Sequence, residues 1–306
     1  GVVLGVDERD SAAAVKTINR LVALEKEVVF VTNDSNRRRS DLVSELSRIG
    51  IEFGSKTEKE KLNGVYTAAY TTALYLKHNG LTRPFVITSD TGILDELKLL
   101  GIYDYYATIT DDGKTREEFF DPQLTNIEEI IAAHPEVDCI VVGWDLCITA
   151  RKIATAINYI KWHEDVDRGK PGYRPLPILA CSQDAGGVVG TSNFKGKMMK
   201  VRAVGNGAMA DVIARSFDPP LPWLSMGKAS DCFIDLFRDR VVPQKTVIIG
   251  DTLQTDIVFG NRLGCTTVLT LGGVTTLAEL KEALSQFVPA RLPTYVLPSA
   301  TSLNSF

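Results

Sequence analysis

Short apolar runs rich in Val and Ile recur along the chain, each followed by a polar turn and then a stretch of helical periodicity. Val28 to Thr32, Pro84 to Thr88, Cys139 to Gly143, Leu176 to Cys181, Thr246 to Gly250 and Val268 to Leu271 are the runs concerned. They are continuous rather than alternating, which suits parallel strands covered on both faces. Between them lie amphipathic stretches, Ser11 to Leu24, Arg39 to Ile49, Asn63 to His78 and Thr149 to Ile160. Strand and helix in alternation predict an α/β fold with a parallel sheet and right-handed crossovers.

The pattern also divides. At 306 residues the chain exceeds the usual range of one hydrophobic core. Asn79, Gly80 and the cluster Pro219, Pro220, Pro222 read as hinges around a central segment with strand and helix signals of its own. The expected organisation is one Rossmann-like domain built from residues 1–78 and 220–306, with a second α/β domain, 79–219, inserted into it. Glu164 to Pro177, polar and rich in Pro and Gly, is expected to be an exposed loop.

Composition narrows the function classes. A net charge of -4 and a pI near 5.6 give no electrostatic reason to expect nucleic acid as a partner. No apolar run approaches the roughly 20 residues of a bilayer span, so no membrane partner is expected. The five cysteines, Cys139, Cys147, Cys181, Cys232 and Cys265, are scattered and lack metal-ligand spacing; they read as reduced residues of a cytoplasmic protein. His78, His134 and His163 stand apart, which argues against a His-rich zinc site or a Ser/His/Asp triad.

Chemistry concentrates in Val247 to Gly264, VIIGDTLQTDIVFGNRLG. An apolar strand ends in Gly250, and Asp251 follows where the backbone leaves the sheet, the usual place for ligand sites in open α/β sheets. A helix starting near Asp256 would return that carboxylate to the same mouth, and two carboxylates there suit a hard cation such as Mg²⁺. The competing structural reading makes Asp251 a turn residue and Asp256 an N-cap worth about 1 kcal/mol. Val28 to Asn36 (VVFVTNDSN) delivers Thr32 and Asn33 at a strand end, as phosphate-binding groups or as ordinary turn and capping residues. Lys228 precedes a helical stretch, Ala229 to Arg240, and reads as a phosphate-neutralising cation or as a solvated surface charge.

Taken together, VVFVTNDSN, MGKAS and VIIGDTLQTDIVFGNRLGCTTVLTLGGVTT resemble motifs two, three and four of the haloacid dehalogenase superfamily. More narrowly they resemble its 4-nitrophenylphosphatase and phosphoglycolate phosphatase branch, which carries a C2-type cap between motifs two and three. The resemblance extends over nearly the whole chain, including VVGWDLCITARKIATAINYI and the closing PTYVLPS. It implies Thr32 and Asn33 as phosphate-binding residues and Lys228 as the lysine that contacts nucleophile and phosphate. It further implies Asp251 as the Mg²⁺ ligand and Asp256 as its supporting acid. Asp184, in Cys181 to Gly190, matches a cap-loop position, and Asp145 another with either a substrate-side or a turn-ordering role.

The resemblance implies a Mg²⁺-dependent phosphomonoester hydrolase working through an aspartyl-phosphate on small phosphorylated metabolites. A homodimer through the cap is the assembly to test. The family's first motif, DxDG, aligns so that Gly1 is its glycine, and both aspartates are expected just ahead of Gly1. Asp7 and Asp10 fall in the following loop and are poor replacements. Two rivals stay open: a catalytically inactive relative that binds a ligand or partner, and a dinucleotide-binding dehydrogenase. The second would need GxGxxG after a first strand, whereas the only similar run, Gly205 to Gly207, lies in the central segment.

Overall fold

The computed structural model describes residues 2–3, 8–111, 125–271, 273–298 and 302. Gly1 and Asp7 therefore lie outside the described residues, and Asp10 belongs to the first helix. In chain order the elements are α1 (Glu8–Ala23), β1 (Phe30–Thr32), α2 (Arg39–Arg48), α3 (Glu58–Asn63), β2 (Val65–Thr67), α4 (Ala68–His78), β3 (Pro84–Ile87), α5 (Gly92–Leu99), β4 (Tyr106–Ala107), α6 (Thr125–Ala133) and β5 (Cys139–Val142). They continue with α7 (Ala150–Asp167), β6 (Ile178–Ala180), β7 (Gly186–Phe194), β8 (Lys197–Val204), α8 (Asn206–Ala214), β9 (Trp223–Ser225), α9 (Asp231–Arg238), β10 (Val247–Gly250), α10 (Val258–Arg262), β11 (Thr266–Thr270), α11 (Leu277–Ser285) and β12 (Tyr295–Leu297). The fold is α/β with parallel sheets, as the alternation of patterns requires.

The chain forms two compact units, one of residues 1–32, 39–66 and 228–306, the other of residues 33–38 and 67–227. The division thus falls before α4 rather than after it. Two buried threonines of α4 tie it to the second unit: Thr71 donates to the Met226 carbonyl at 2.9 Å and Thr72 to the Cys181 thiol at 3.4 Å. Asn79 and Gly80 stop α4, with Gly80 at φ +68° and the Leu81 amide bonded back to the Leu76 carbonyl, a common helix C-terminus.

In the first unit, β10, β11 and β12 form a parallel sheet and β1 pairs with β2. β11 is buried along most of its length, but Val247 of β10 is 54% exposed and β1 is only half-buried. Among the described residues β10 and β12 are the outer strands of the three-stranded sheet. Phe233 and Phe237 of α9 pack on Phe259 of α10 with ring centroids 5.2 and 5.3 Å apart.

The second unit is built on a five-stranded parallel sheet, β4-β3-β5-β6-β9. β3, β5 and β6 are buried at every position, the outcome expected of unbroken apolar runs. Tyr159 of α7 and Phe85 of β3 meet in the core at 5.2 Å. Two expectations need correcting. The loop expected from Glu164 begins as helix, because α7 runs on to Asp167. Lys161–Asp165 and Glu164–Arg168 pairs, both 2.8 Å, support its last turns at helical spacing. The segment Cys181 to Gly190 is loop only to Ala185, after which β7 and β8 form an antiparallel hairpin. Its Gly and polar positions carry little strand signal.

Candidate active site

Each component of the site follows from how its strand ends. β10 runs out at Gly250, and an added Cβ there would lie 2.1 Å from the Cβ of Asp256, so only glycine lets Asp256 fold back against the strand. Asp256 is not an N-cap. It lies inside a π-helical turn, Leu253–Ile257, in which the Ile257 amide reaches back to the Thr252 carbonyl at 3.2 Å. Such wide turns carry their side chains further round the axis than an α-turn would and often mark functional sites. As a result Asp256 Oδ2 accepts the amides of Asp251 and Thr252, each at 3.2 Å, while Oδ1 accepts from Lys228 Nζ at 2.6 Å.

Asp251 is 6% exposed, its Oδ2 accepting the Val274 amide at 2.9 Å and its carbonyl accepting the Thr275 amide at 2.9 Å. Gly273 lines this approach; a Cβ there would lie 2.1 Å from Asp251 Oδ2. Lys228 stands just ahead of α9, whose N-cap Ser230 accepts the Phe233 amide at 3.2 Å. Ala229 between them takes a left-handed φ of 72°. The first unit therefore brings Lys228, Asp251 and Asp256 together at the carboxyl end of β10. Thr32 closes β1 in the same unit and is half-buried.

Asn33 and Asp184 belong to the second unit and meet there, Asn33 Nδ2 donating to Asp184 Oδ2 at 3.1 Å. Gly227 makes room for this contact, since a Cβ there would be 2.9 Å from Asn33 Oδ1. Asp145 is fully buried, its Oδ2 accepting from the equally buried Lys152 Nζ at 2.8 Å and its Oδ1 from the Cys147 amide at 2.7 Å. That placement is one of turn ordering, the second of the two roles considered for it. Gly205 and Gly207, the dinucleotide-like glycines, instead admit close backbone. Added Cβ atoms would fall 2.1 Å from the Asp184 carbonyl oxygen and 2.5 Å from that of Gln183.

Sequence reasoning passed over Ser35, which is 1% exposed and accepts the Trp144 amide at 3.1 Å and Asn206 Nδ2 at 3.4 Å. It fastens the loop after β1 to the second unit, and nothing in a lone loop serine could have revealed that. Asp34 was likewise overlooked; its Oδ1 accepts the Asn36 amide at 2.8 Å and shapes the same loop.

Among the described residues no three His, Cys, Asp or Glu side chains cluster as a metal centre. The acids present are nonetheless hard oxygen donors, and Mg²⁺ characteristically takes one or two carboxylates with water and phosphate completing its shell. Asp256 is engaged in holding Lys228 and the Asp251 turn, and Asp251 in binding the Val274 amide.

Comparison with known proteins places these residues in context. The family model described as haloacid dehalogenase-like hydrolase matches residues 1–103, and a HAD-hydrolase-like model matches 225–303, so that the two cover more than half of the chain. Phosphoglycolate phosphatase 1A, chloroplastic, of Arabidopsis thaliana is 27% identical over 296 residues, spanning 94% of this chain and 72% of the plant protein. Glycerol-3-phosphate phosphatase of Mus musculus is 27% identical over 314 residues, spanning 98% and 87% of the two chains. The solved p-nitrophenyl phosphatase from Archaeoglobus fulgidus shares the fold with a TM-score of 0.62 at 21% identity, over 97% of this chain and 91% of the other.

Proposed function

The chain belongs to the haloacid dehalogenase-like hydrolases, and from that premise we propose that it hydrolyses small phosphomonoesters with the help of a divalent cation, Mg²⁺ by its donor chemistry. The observation that carries this reading is the convergence of Lys228, Asp251 and Asp256 at the end of β10.

The roles follow from charge and reach. Lys228 would neutralise phosphoryl oxygens, and Asp256 holds its ammonium in place at 2.6 Å rather than leaving it to search solvent. Thr32, with its hydroxyl, and Asn33, with its amide, would donate to the same phosphate from the end of β1. Asp251 would hold the cation with Asp256 supporting it, and the bound ion would supply charge neutralisation for the phosphoryl group. The second unit corresponds in this reading to the cap, with Asp184 on its substrate loop. Relatives named for phosphoglycolate, glycerol-3-phosphate and p-nitrophenyl phosphate point to small leaving groups.

The test uses the complete natural gene product with p-nitrophenyl phosphate. Mg²⁺-dependent turnover is expected in the wild type, with a loss of at least about 100-fold in Asp251→Asn. Mg²⁺ should also raise the unfolding midpoint of the wild type and not that of the variant. Turnover equal to wild type in Asp251→Asn would sink the assigned role. No turnover of any small phosphomonoester by the wild type would favour a binding protein instead.

A further inference from the structure

Among the described residues the β7–β8 hairpin is a two-stranded ribbon with an unusual surface. Isolated hairpins are marginally stable in water unless a third strand or another element covers a face. Here Phe194 is 61% exposed and Met198 63%, with Met199 at 49% and Val201 at 42%. Register places Phe194, Met199 and Val201 on one face and Met198 on the other, so apolar side chains meet solvent on both. Among the described residues its base is fastened by Trp144 Nε1 donating to the Val204 carbonyl at 2.9 Å.

Charge points the same way. Between Asp184 and Asp211 there is no acidic residue, yet Lys195, Lys197, Lys200 and Arg202 all fall in the hairpin, in a chain whose net charge is -4. The turn itself is Lys195–Gly196, with φ of 50° and 82°. Asn or Gly is the usual first residue of such a turn, so a lysine is held there against local preference. Its ammonium lies 5.5 Å from the Phe194 ring centroid.

We infer that this tip docks on an anionic lipid surface, Phe194 and Met198 entering the headgroup boundary while Lys195 and Lys197 pair with lipid phosphates and carboxylates. An apolar insertion plus basic charge is the two-part signal that peripheral binding needs. An acidic remainder would be repelled by such a surface and would turn the hairpin toward it. A second copy joined through two β8 edges fits less well, because it would set lysines and arginines against each other. Nucleic acid also fits less well, because Phe194 is the ribbon's single aromatic platform.

The experiment is co-sedimentation of the complete protein with phosphatidylcholine vesicles, plain or containing about a third phosphatidylserine. Wild type should bind the anionic vesicles, less so at high salt. Lys195→Asn with Lys197→Gln should weaken binding about 25-fold, at roughly 5-fold per lysine, and Phe194→Thr about 10-fold. Lys195→Asn suits the turn, so an unchanged unfolding midpoint in that single variant would show that binding, not folding, was altered. Equal binding to both vesicles, or variants that bind like wild type, would overturn the inference. So would a solution dimer that Phe194→Thr dissolves, or tighter binding to an oligonucleotide than to vesicles.

Discussion

Lys228 reaches Asp256 from a backbone that turns through the left-handed region at Ala229, φ 72°, a conformation that costs an alanine about 1 kcal/mol. Proline, which the resembling family usually places after this lysine, has φ locked near -65° and cannot adopt it. Ala229→Gly is therefore expected to raise stability by about 1 kcal/mol, and Ala229→Pro to lower it by about 3 kcal/mol or more, both read from denaturant midpoints. Equal midpoints for the two variants would show that the turn is not held as described. The site residues were legible unevenly. Asp251 could be read because an apolar run announces the strand that ends just before it. The engagement of Asp256 could not, because it depends on a π-helical turn and on Gly250, six residues earlier, rather than on any local capping pattern. Asp145 fell between two roles until its burial against Lys152 was visible.

The strand–turn–helix from β10 through the π-helical turn to α10 is the element that makes the site. Its packing is tight enough to test. A methyl at Gly250 would overlap Asp256, so Gly250→Ala should push the carboxylate off Lys228 and the Asp251 amide, at a cost of about 1–3 kcal/mol. The expected result is a lower unfolding midpoint together with lost turnover; a variant with wild-type midpoint and turnover would refute the close approach. Most strands and helices could be read from periodicity, because buried parallel strands and amphipathic helices carry strong patterns. The failures share a cause. The end of α7 is mostly polar and is sustained by ion pairs at three- and four-residue spacing, while β7 and β8 mix small, polar, basic and apolar residues in a two-stranded ribbon.

At the scale of the whole molecule, burial fixes the protonation of several groups in the second unit. The Cys181 thiol is pushed up to about 12 by burial, partly offset by its hydrogen bond from Thr72. Burial also raises Cys139, with Asp138 adding to the effect, and raises the Tyr159 phenol. Unfolded thiols ionise near about 8.5, so the folded state holds protons that the unfolded state releases. The resulting stability is present in full below that value and is lost as pH rises toward about 12, at no more than about 1.4 kcal/mol per pH unit for each group. Denaturant midpoints measured across this window should fall less steeply for Cys181→Ala than for the wild type; parallel slopes would contradict the burial of a neutral thiol. By itself the sequence determined the α/β class and the parallel strands, and it offered Lys228, Asp251 and Asp256 as candidates, since periodicity and strand-end chemistry are local properties. Only the tertiary structure decided that α4 belongs with the second unit, that Asn33 meets Asp184 across 151 residues of chain, and that Phe194 and Met198 of the β7–β8 ribbon stand exposed. Those outcomes depend on which surfaces compete for burial and on contacts between distant segments, and no window of sequence contains that competition.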